Sequence, residues 1–507
     1  MLYLVYSTLL FFPALNSCVG LAQLSDPLEL LPVFNLSRTL HCVSFEPYPL
    51  ISLLPSEWTL VPKELALSYC INQPQLMVDL GKRSISELMC PYREGAKRAL
   101  NFTGVVDVVT GYGNASAQLL RELVANDDLS LSMARSGYWH TDYVDAKVQA
   151  LMEAAYPEEQ PPSFDDTPNW LTHPTELRLS RTEYPPRWSI ALTIPPELRK
   201  VPSPRKLLYT MWECDTIPQR ANYLLTGNPD AMPKLWYHDP NAWPEWIEQY
   251  ADVLAVPCQV QKCVFEKSCG KEAHVVPLGV NQTIQYTPRR RARTHYLSKK
   301  QEPRDKFVML VYGELSARKG TPDVLLEVVW PVLHDKENWQ LIFKTRGNKH
   351  SLLASVSDER VTIIYSDYTP EQMARLTQYA DCGIALSRYE GWGMPFREMM
   401  AAGLPVIVAN NSGHVEDCDE DYNYPVPSNG MSPTLQFYGQ WYEPDWSVAQ
   451  AWLRLEYADW QARGRTQSPM GERAAQWIRE RRSWSTTADK LLGLVENNEF
   501  RNGRITS

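Results

Sequence analysis

The sequence predicts an α/β protein of two parallel-sheet domains facing a cleft, and three observations predict it. Short apolar runs of strand length alternate with helical stretches in two separate blocks, a pattern that closes as parallel sheets covered on both faces. A basic stretch without apolar period, within 287–306, separates the blocks and carries Arg289, Arg290, Arg291, Arg293, Lys299 and Lys300. A length of 507 residues exceeds what one hydrophobic core usually supports.

Residues 1–100 show neither the period of a strand nor that of a helix and receive no fold. Their first 25 residues are uncharged, and Gly20, Leu21 and Ala22 offer a cleavage site, so a signal peptide is the alternative to a cytoplasmic protein. That stretch lacks a basic start, and Pro13, Asn16 and Ser17 interrupt it too early for a membrane span. Residues 101–285 form the first block, with strands at 105–110, 129–133, 189–194, 206–211, 253–256 and 274–277. Gly111 and Gly113 lie in a turn between its first strand and a helix at 117–123. The linker, 286–306, reads as exposed. In 307–445 the strands are 307–312, 340–344, 361–365, 382–386 and 405–409, with helices at 322–332, 370–379 and 394–402. Residues 446–507 are helical. Ligands of open parallel sheets bind outside the carboxyl ends of the strands, so the cleft is the expected site.

A net charge of -9 argues against a nucleic-acid backbone as partner. The 10 cysteines are scattered, and Cys258, Cys263 and Cys269 lack the paired spacing of a zinc site, so reduced thiols and no metal are expected.

The chemistry concentrates in 387–408. A strand runs into Glu390, Gly391, Trp392, Gly393 and Met394, and a helix then opens with Pro395 near its first position, where proline is favoured. Backbone amides of such a turn, together with the helix N-terminus, suit a diphosphate. Glu390 and Glu398, the latter in the first helical turn, can accept hydrogen bonds from ribose and hexose hydroxyls. A second strand, loop and helix, Tyr312 through Gly313 and Glu314 to Arg318, Lys319 and Gly320, brings cations to the same sheet edge.

The two glutamates with seven residues between them, the intervening glycines and the trailing Ala402, Gly403, Pro405 and Val406 resemble the donor-site signature of glycosyltransferase family 4, the group 1 glycosyl transferases. These are retaining enzymes of the GT-B fold, two Rossmann-like domains facing a central cleft. The resemblance covers 101–507 and implies C-terminal helices packing back on the first domain. It implies that Glu398 holds the nucleotide ribose, that Glu390 lies against the donor sugar and that Lys319 meets the pyrophosphate, with Arg318 the nearest substitute for the family's second cation and Lys344 or Arg346 the alternative. Gly313 and the amides of Gly391, Trp392, Gly393 and Met394 would line the donor. The implied partners are a nucleotide-sugar co-substrate and a glycan or lipid-linked acceptor, with peripheral membrane association and no cofactor or metal. Gly111 and Gly113 would border the cleft. Glu213 has either an acceptor-side or a structural role.

The sequence departs from the family at Glu314, where an arginine usually stands, so this carboxylate is expected to turn away or pair with Arg318, Lys344 or Arg346. The family's acceptor-side histidine has no counterpart in the strands above, and His140 and His173 fall in segments that do not align. Gly111 to Ser116 also matches a dinucleotide fingerprint, but Ala134 and Arg135 stand where an oxidoreductase needs an acid. Epimerisation or hydrolysis of a nucleotide sugar, and non-catalytic sugar or nucleotide binding, are the alternatives to transfer.

Overall fold

The computed structural model describes residues 98–106, 110–139, 144, 146–155, 186–201, 203–217, 243–284, 286–288, 292–298, 300–345, 356–434 and 439–502. The N-terminal signal and membrane readings, His140, His173, Arg346 and the Arg289 to Arg291 run lie outside them.

The first sheet contains β1 (Arg98–Val106), β2 (Leu129–Trp139), β3 (Trp188–Leu192), β4 (Arg205–Tyr209), β5 (Val253–Val256) and β6 (Ala273–Val275). They are parallel, in the order β2-β1-β3-β4-β5-β6. Helices α1 (Gly111–Val124), α2 (Ala146–Ala155), α3 (Trp243–Tyr250) and α4 (Gln259–Cys269) accompany it. Strand β1 begins at Arg98, inside the segment expected to lack a fold, and ends at Val106, where the sequence reading barely starts it. The cause is a buried polar ladder that breaks the apolar pattern. Asn101 donates to Ser189 Oγ at 2.7 Å and to Thr103 Oγ1 at 3.0 Å, and accepts from Ser132 Oγ at 3.1 Å. Each polar group is matched across three strands, which removes the penalty of burying it.

The second sheet contains β9 (Phe307–Tyr312), β10 (Trp339–Lys344), β11 (Val361–Ile364), β12 (Cys382–Ala385), β13 (Val406–Ala409) and β14 (Tyr424–Val426). It is parallel, in the order β11-β10-β9-β12-β13-β14. Strand β9 shows why such runs are apolar throughout: Phe307, Met309 and Val311 enter one core, Val308 and Leu310 the other. Helical residues 321–333 (α5, with Val324–Val329 π-helical), α6 (Pro370–Tyr379) and α7 (Met394–Ala401) connect the strands. The order reverses between β9 and β12, the topological switch point where open sheets take ligands.

The linker is not simply exposed. Strands β7 (Ala292–Thr294) and β8 (Gln301–Pro303) form an antiparallel hairpin in it. Arg293 and Arg304 are buried on the carboxylate of Asp381, Arg293 at 3.1 Å. Charge pairing offsets the desolvation that a basic run would otherwise avoid. A second hairpin, β15 (Ser428–Thr434) with β16 (Gly439–Pro444), precedes α8 (Trp446–Ala462), α9 (Pro469–Arg481) and α10 (Trp484–Asn502). Of these helices α10 packs back on the first domain, adding Trp484, Ala488, Leu491, Leu492 and Val495 to its core. Leu453 and Trp460 of α8, and Ala474 and Ile478 of α9, belong to the cores of the second.

Candidate functional site

The loops after β9 and β12 leave the second sheet side by side at its switch point, and they bring Lys319 to Glu390. Lys319 Nζ donates to Glu390 Oε1 at 2.5 Å, and Ser387 Oγ donates to the same oxygen at 2.7 Å. Arg318 Nη1 lies 3.5 Å from Glu390 Oε2 and donates to the carbonyl of Tyr389 at 2.9 Å. Burial alone would raise the Glu390 carboxyl, but Lys319, Arg318 and His414 outweigh it and hold it at about 2. Glu390 is therefore an anion at any ordinary pH.

The turn that follows is held open by its backbone. Gly393 has φ 87°, a left-handed conformation that costs an ordinary residue, and it caps α7 without any side-chain hydrogen bond. A side chain there would also strike the His414 ring. Gly391 has a different reason: a Cβ on it would lie 2.9 Å from Met211 at the end of β4. The two domains touch directly at this turn.

Glu398, in α7, accepts from Tyr312 Oη and is hydrogen bonded by Asn114 of the first domain. Burial pushes its carboxyl up to about 7, with Tyr312 and Asn114 opposing. His414 is buried, with Nδ1 3.2 Å from the carbonyl of Ala409; burial lowers it to about 4, so the ring is neutral near pH 7. A carbonyl at Nδ1 fixes the proton there and leaves Nε2 an acceptor beside Gly393. A cavity of about 20 Å³ is lined by Lys319, Tyr312, Ser387, Glu390, Gly393 and His414. That is room for roughly one water, whereas small-molecule sites run to about 300–1,000 Å³. This cavity is too small to enclose a nucleotide sugar.

Sequence reasoning expected Gly111 and Gly113 in a glycine turn. They form instead the first turn of α1, because Thr110 accepts from Gly113 N at 2.9 Å and starts the helix six residues earlier than its apolar period suggests. Tyr112 of this turn donates to the carbonyl of Met211 at 2.8 Å, and Asn114 reaches Glu398. The side chain of Trp392 is buried among first-domain core residues, so only its backbone borders the site. Arg318 is engaged across the cleft: Nη2 meets Glu213 Oε1 at 3.0 Å. Glu314 is exposed and forms no ion pair among the described residues, so of the two expected outcomes it turns away. Lys344 donates to the carbonyl of Thr345 and faces the Tyr368 ring instead. Gly313 has φ 142° and lies against the Lys319 stem, and Met394 opens α7. His414, Asn114 and Tyr312 were missed. His414 follows the carboxyl end of β13, and a search of every strand end of the sheet would have found it.

Across the rest of the cleft, the β15–β16 hairpin meets the loop after β4. Gln440 N donates to Asp215 Oδ1 at 2.7 Å, and Trp441 Nε1 to the carbonyl of Glu213 at 3.1 Å. The described cysteines are free, and no group of three acidic, His or Cys side chains is arranged for a metal among the described residues. Among the described residues, no helix is long and apolar enough to cross a membrane.

Residues 293–428, which span β9 to β14 and both glutamates, match the sequence profile of the family described as Glycosyl transferases group 1. No curated protein matches the chain in sequence. Sucrose-phosphate synthase (tll1590) from Thermosynechococcus elongatus is similar in structure, with a TM-score of 0.53 at 15% identity over 80% of this chain and 100% of that one. Anabaena Alr3699/HepE in complex with UDP and glucose gives a TM-score of 0.49 at 12% identity over 79% of this chain and 100% of that one. WaaG, a glycosyltransferase involved in lipopolysaccharide biosynthesis, gives 0.44 at 12% identity over 77% and 98%. The two switch-point sheets and the first of these likenesses define the fold, a two-domain GT-B architecture. Within it, the second sheet is the part that resembles the group 1 glycosyl transferases in sequence.

Proposed function

We propose that this chain transfers a hexosyl group from a nucleotide-sugar donor to a hydroxyl of a glycan or lipid-linked acceptor, with retention at the anomeric carbon, as in family 4. A nucleoside diphosphate is released. The observation that carries the reading is the pairing of Lys319 with Glu390 beside the uncapped N-terminus of α7, at the switch point of the sheet. An ionised carboxylate, a cation and an unsatisfied helix end together suit a sugar linked to a diphosphate.

On this reading Glu398 accepts the ribose hydroxyls, and its loss of Asn114 on opening frees it to do so. Glu390 lies against the sugar. Lys319 moves from Glu390 to the diphosphate, where it and the α7 amides stabilise the charge that builds as the leaving group departs. These fixed donors make a metal unnecessary. Arg318, tied to Glu213 and Glu390, links the acceptor side to the sugar. Departure of the diphosphate and attack on the same face of the sugar give retention. The protein acts in the cytoplasm and reaches a lipid-linked acceptor from the membrane surface.

The test incubates the protein with a panel of nucleotide sugars and hydroxyl acceptors, with and without EDTA, and identifies products by mass and anomeric configuration. Transfer with retention that survives EDTA is expected. Free sugar alone would mean hydrolysis, an altered nucleotide sugar would mean epimerisation, and an inverted or EDTA-sensitive product would remove retention or metal independence from the proposal.

A further inference from the structure

One buried charge cluster, Arg397 with Asp417 and Arg482, has no part in the transfer described above. Arg397 stands in the first turn of α7 and is 1% exposed. Its Nη1 donates to the carbonyls of Trp392 and, at 3.4 Å, Gly393; its Nη2 donates to the carbonyl of Gly413 at 2.8 Å. Its Nε donates to Asp417 Oδ2, and its guanidinium lies 3.5 Å over the Trp392 ring. Arg482, where α9 ends and α10 begins, donates to Asp417 Oδ1 at 2.6 Å and faces Trp392 at 5.4 Å.

A buried guanidinium is tolerated only when its donors are matched, and here three of the acceptors are carbonyls of the two loops that border the site. In a trans peptide the carbonyl and the next amide point in opposite directions. Drawing the Trp392 and Gly393 carbonyls to Arg397 therefore turns the amides of Gly393 and Met394 away from it. Gly393 borders the cavity beside Lys319, and its amide donates to no protein group among the described residues.

We propose that Arg397 is a positioning residue for the donor diphosphate: it holds the turn's carbonyls back so that the turn's amides face the anion. Asp417 shares this hold with Arg482, which ties the turn to the helix that crosses to the first domain. The inference rests on reading the site as one for a nucleoside diphosphate.

Arg397→Lys keeps the charge but cannot reach three carbonyls and a carboxylate with one ammonium. Wild type, Arg397→Lys and the more accessible Arg482→Lys are titrated calorimetrically with inorganic pyrophosphate and, separately, with uridine, adenosine and guanosine. Thermal unfolding checks that each is folded. Arg397→Lys is expected to lose about tenfold or more in pyrophosphate affinity while the affinity for whichever nucleoside binds is unchanged. Arg482→Lys moves the same way by less, and carries the test if Arg397→Lys does not fold. Unchanged pyrophosphate affinity in a folded variant overturns the inference, as does an equal loss of pyrophosphate and nucleoside. If wild type binds nucleoside and pyrophosphate but the variants do not differ, only this inference falls. If wild type binds neither, the diphosphate reading falls and takes the inference with it.

Discussion

Two helices present their N-termini to the cleft, each after a parallel strand and each with glycines at its start, and they end differently. Helix α1 is capped: the Thr110 side chain takes the amide of Gly113. Helix α7 begins at Gly393 with no side-chain cap, and the group that closes around it, Arg397, takes carbonyls rather than amides. A capped end is finished within the fold, whereas an uncapped end beside a lysine keeps its partial positive charge for an outside anion. The same glycine-rich pattern thus marks a structural start in one domain and, under the proposed function, a binding surface in the other.

The largest expected effect breaks the second of these ends. Lys319→Ala removes the one side-chain cation of the cavity lining and should lower kcat with donor saturating by about 10²-fold or more, as loss of a preorganised donor to a developing anion does. Turnover near that of wild type would move the anion elsewhere.

Next is Gly393→Ala, which meets both a left-handed φ and the His414 ring. A loss of about 2 kcal/mol or more in stability to urea is expected, of which the backbone alone supplies about 1–2. A neutral result would show that the turn is not fixed as described.

Glu398→Gln should weaken binding of a nucleoside diphosphate by about 1–3 kcal/mol, while Glu390→Gln leaves that affinity nearly intact and lowers turnover. Equal effects on diphosphate binding would overturn the division of roles. Glu398 also makes closure depend on pH. Closed, its carboxyl stands at about 7 against an ordinary 4.5, so the closed form holds the extra proton between those values. Rising pH therefore favours opening from about 4.5 to 7 and has no further effect through this group above 7. Glu390, held at about 2, titrates below that window. Small-angle scattering should show a radius of gyration that grows over this range in wild type and loses that slope in Glu398→Gln.

The smallest effects concern the capped end. Thr110→Ala should cost about 1 kcal/mol of stability and leave nucleoside diphosphate affinity unchanged. Gly111→Ala, with no atom within 4 Å of the new methyl, should be neutral or gain a few tenths of a kcal/mol, up to about 1. Loss of nucleotide binding in either variant would make α1 a binding element as well, and the contrast between the helices would fail.

Much of this was legible in the chain. The strands at β5 and β9 stand as short, wholly apolar runs, and α6 announces itself through Thr369, Pro370 and Gln372, a capping box around a first-turn proline. Glu390 and Glu398 stand out in the sequence because both lie in one continuous motif. What escaped was held by partners distant in sequence. Strand β1 is hidden by Asn101 and Thr103, whose burial is offset by Ser132 and Ser189. Arg293 looks solvated until Asp381 is beside it, and Arg397 until Asp417 and the loop carbonyls are. Local periodicity cannot report such pairings, since it measures apolar spacing within one element.

The last helix has a consequence for how the chain is made. Trp484, Leu491 and Val495 of α10 are core residues of the domain that begins with β1, so that domain lacks part of its interior until residues 484–495 have been synthesised. Trp484 packs against Gly279, and Thr487 donates to the carbonyl of Pro277 at 2.7 Å, at the exit from the first domain. Domains usually fold in order as they leave the ribosome. Here the second sheet, which draws its strands from 307–426, can close its core first, and the earlier-made sheet has to wait with apolar surface uncovered. A nascent chain arrested before residue 484 should therefore yield a protease-resistant second domain attached to a first domain that is still cleaved.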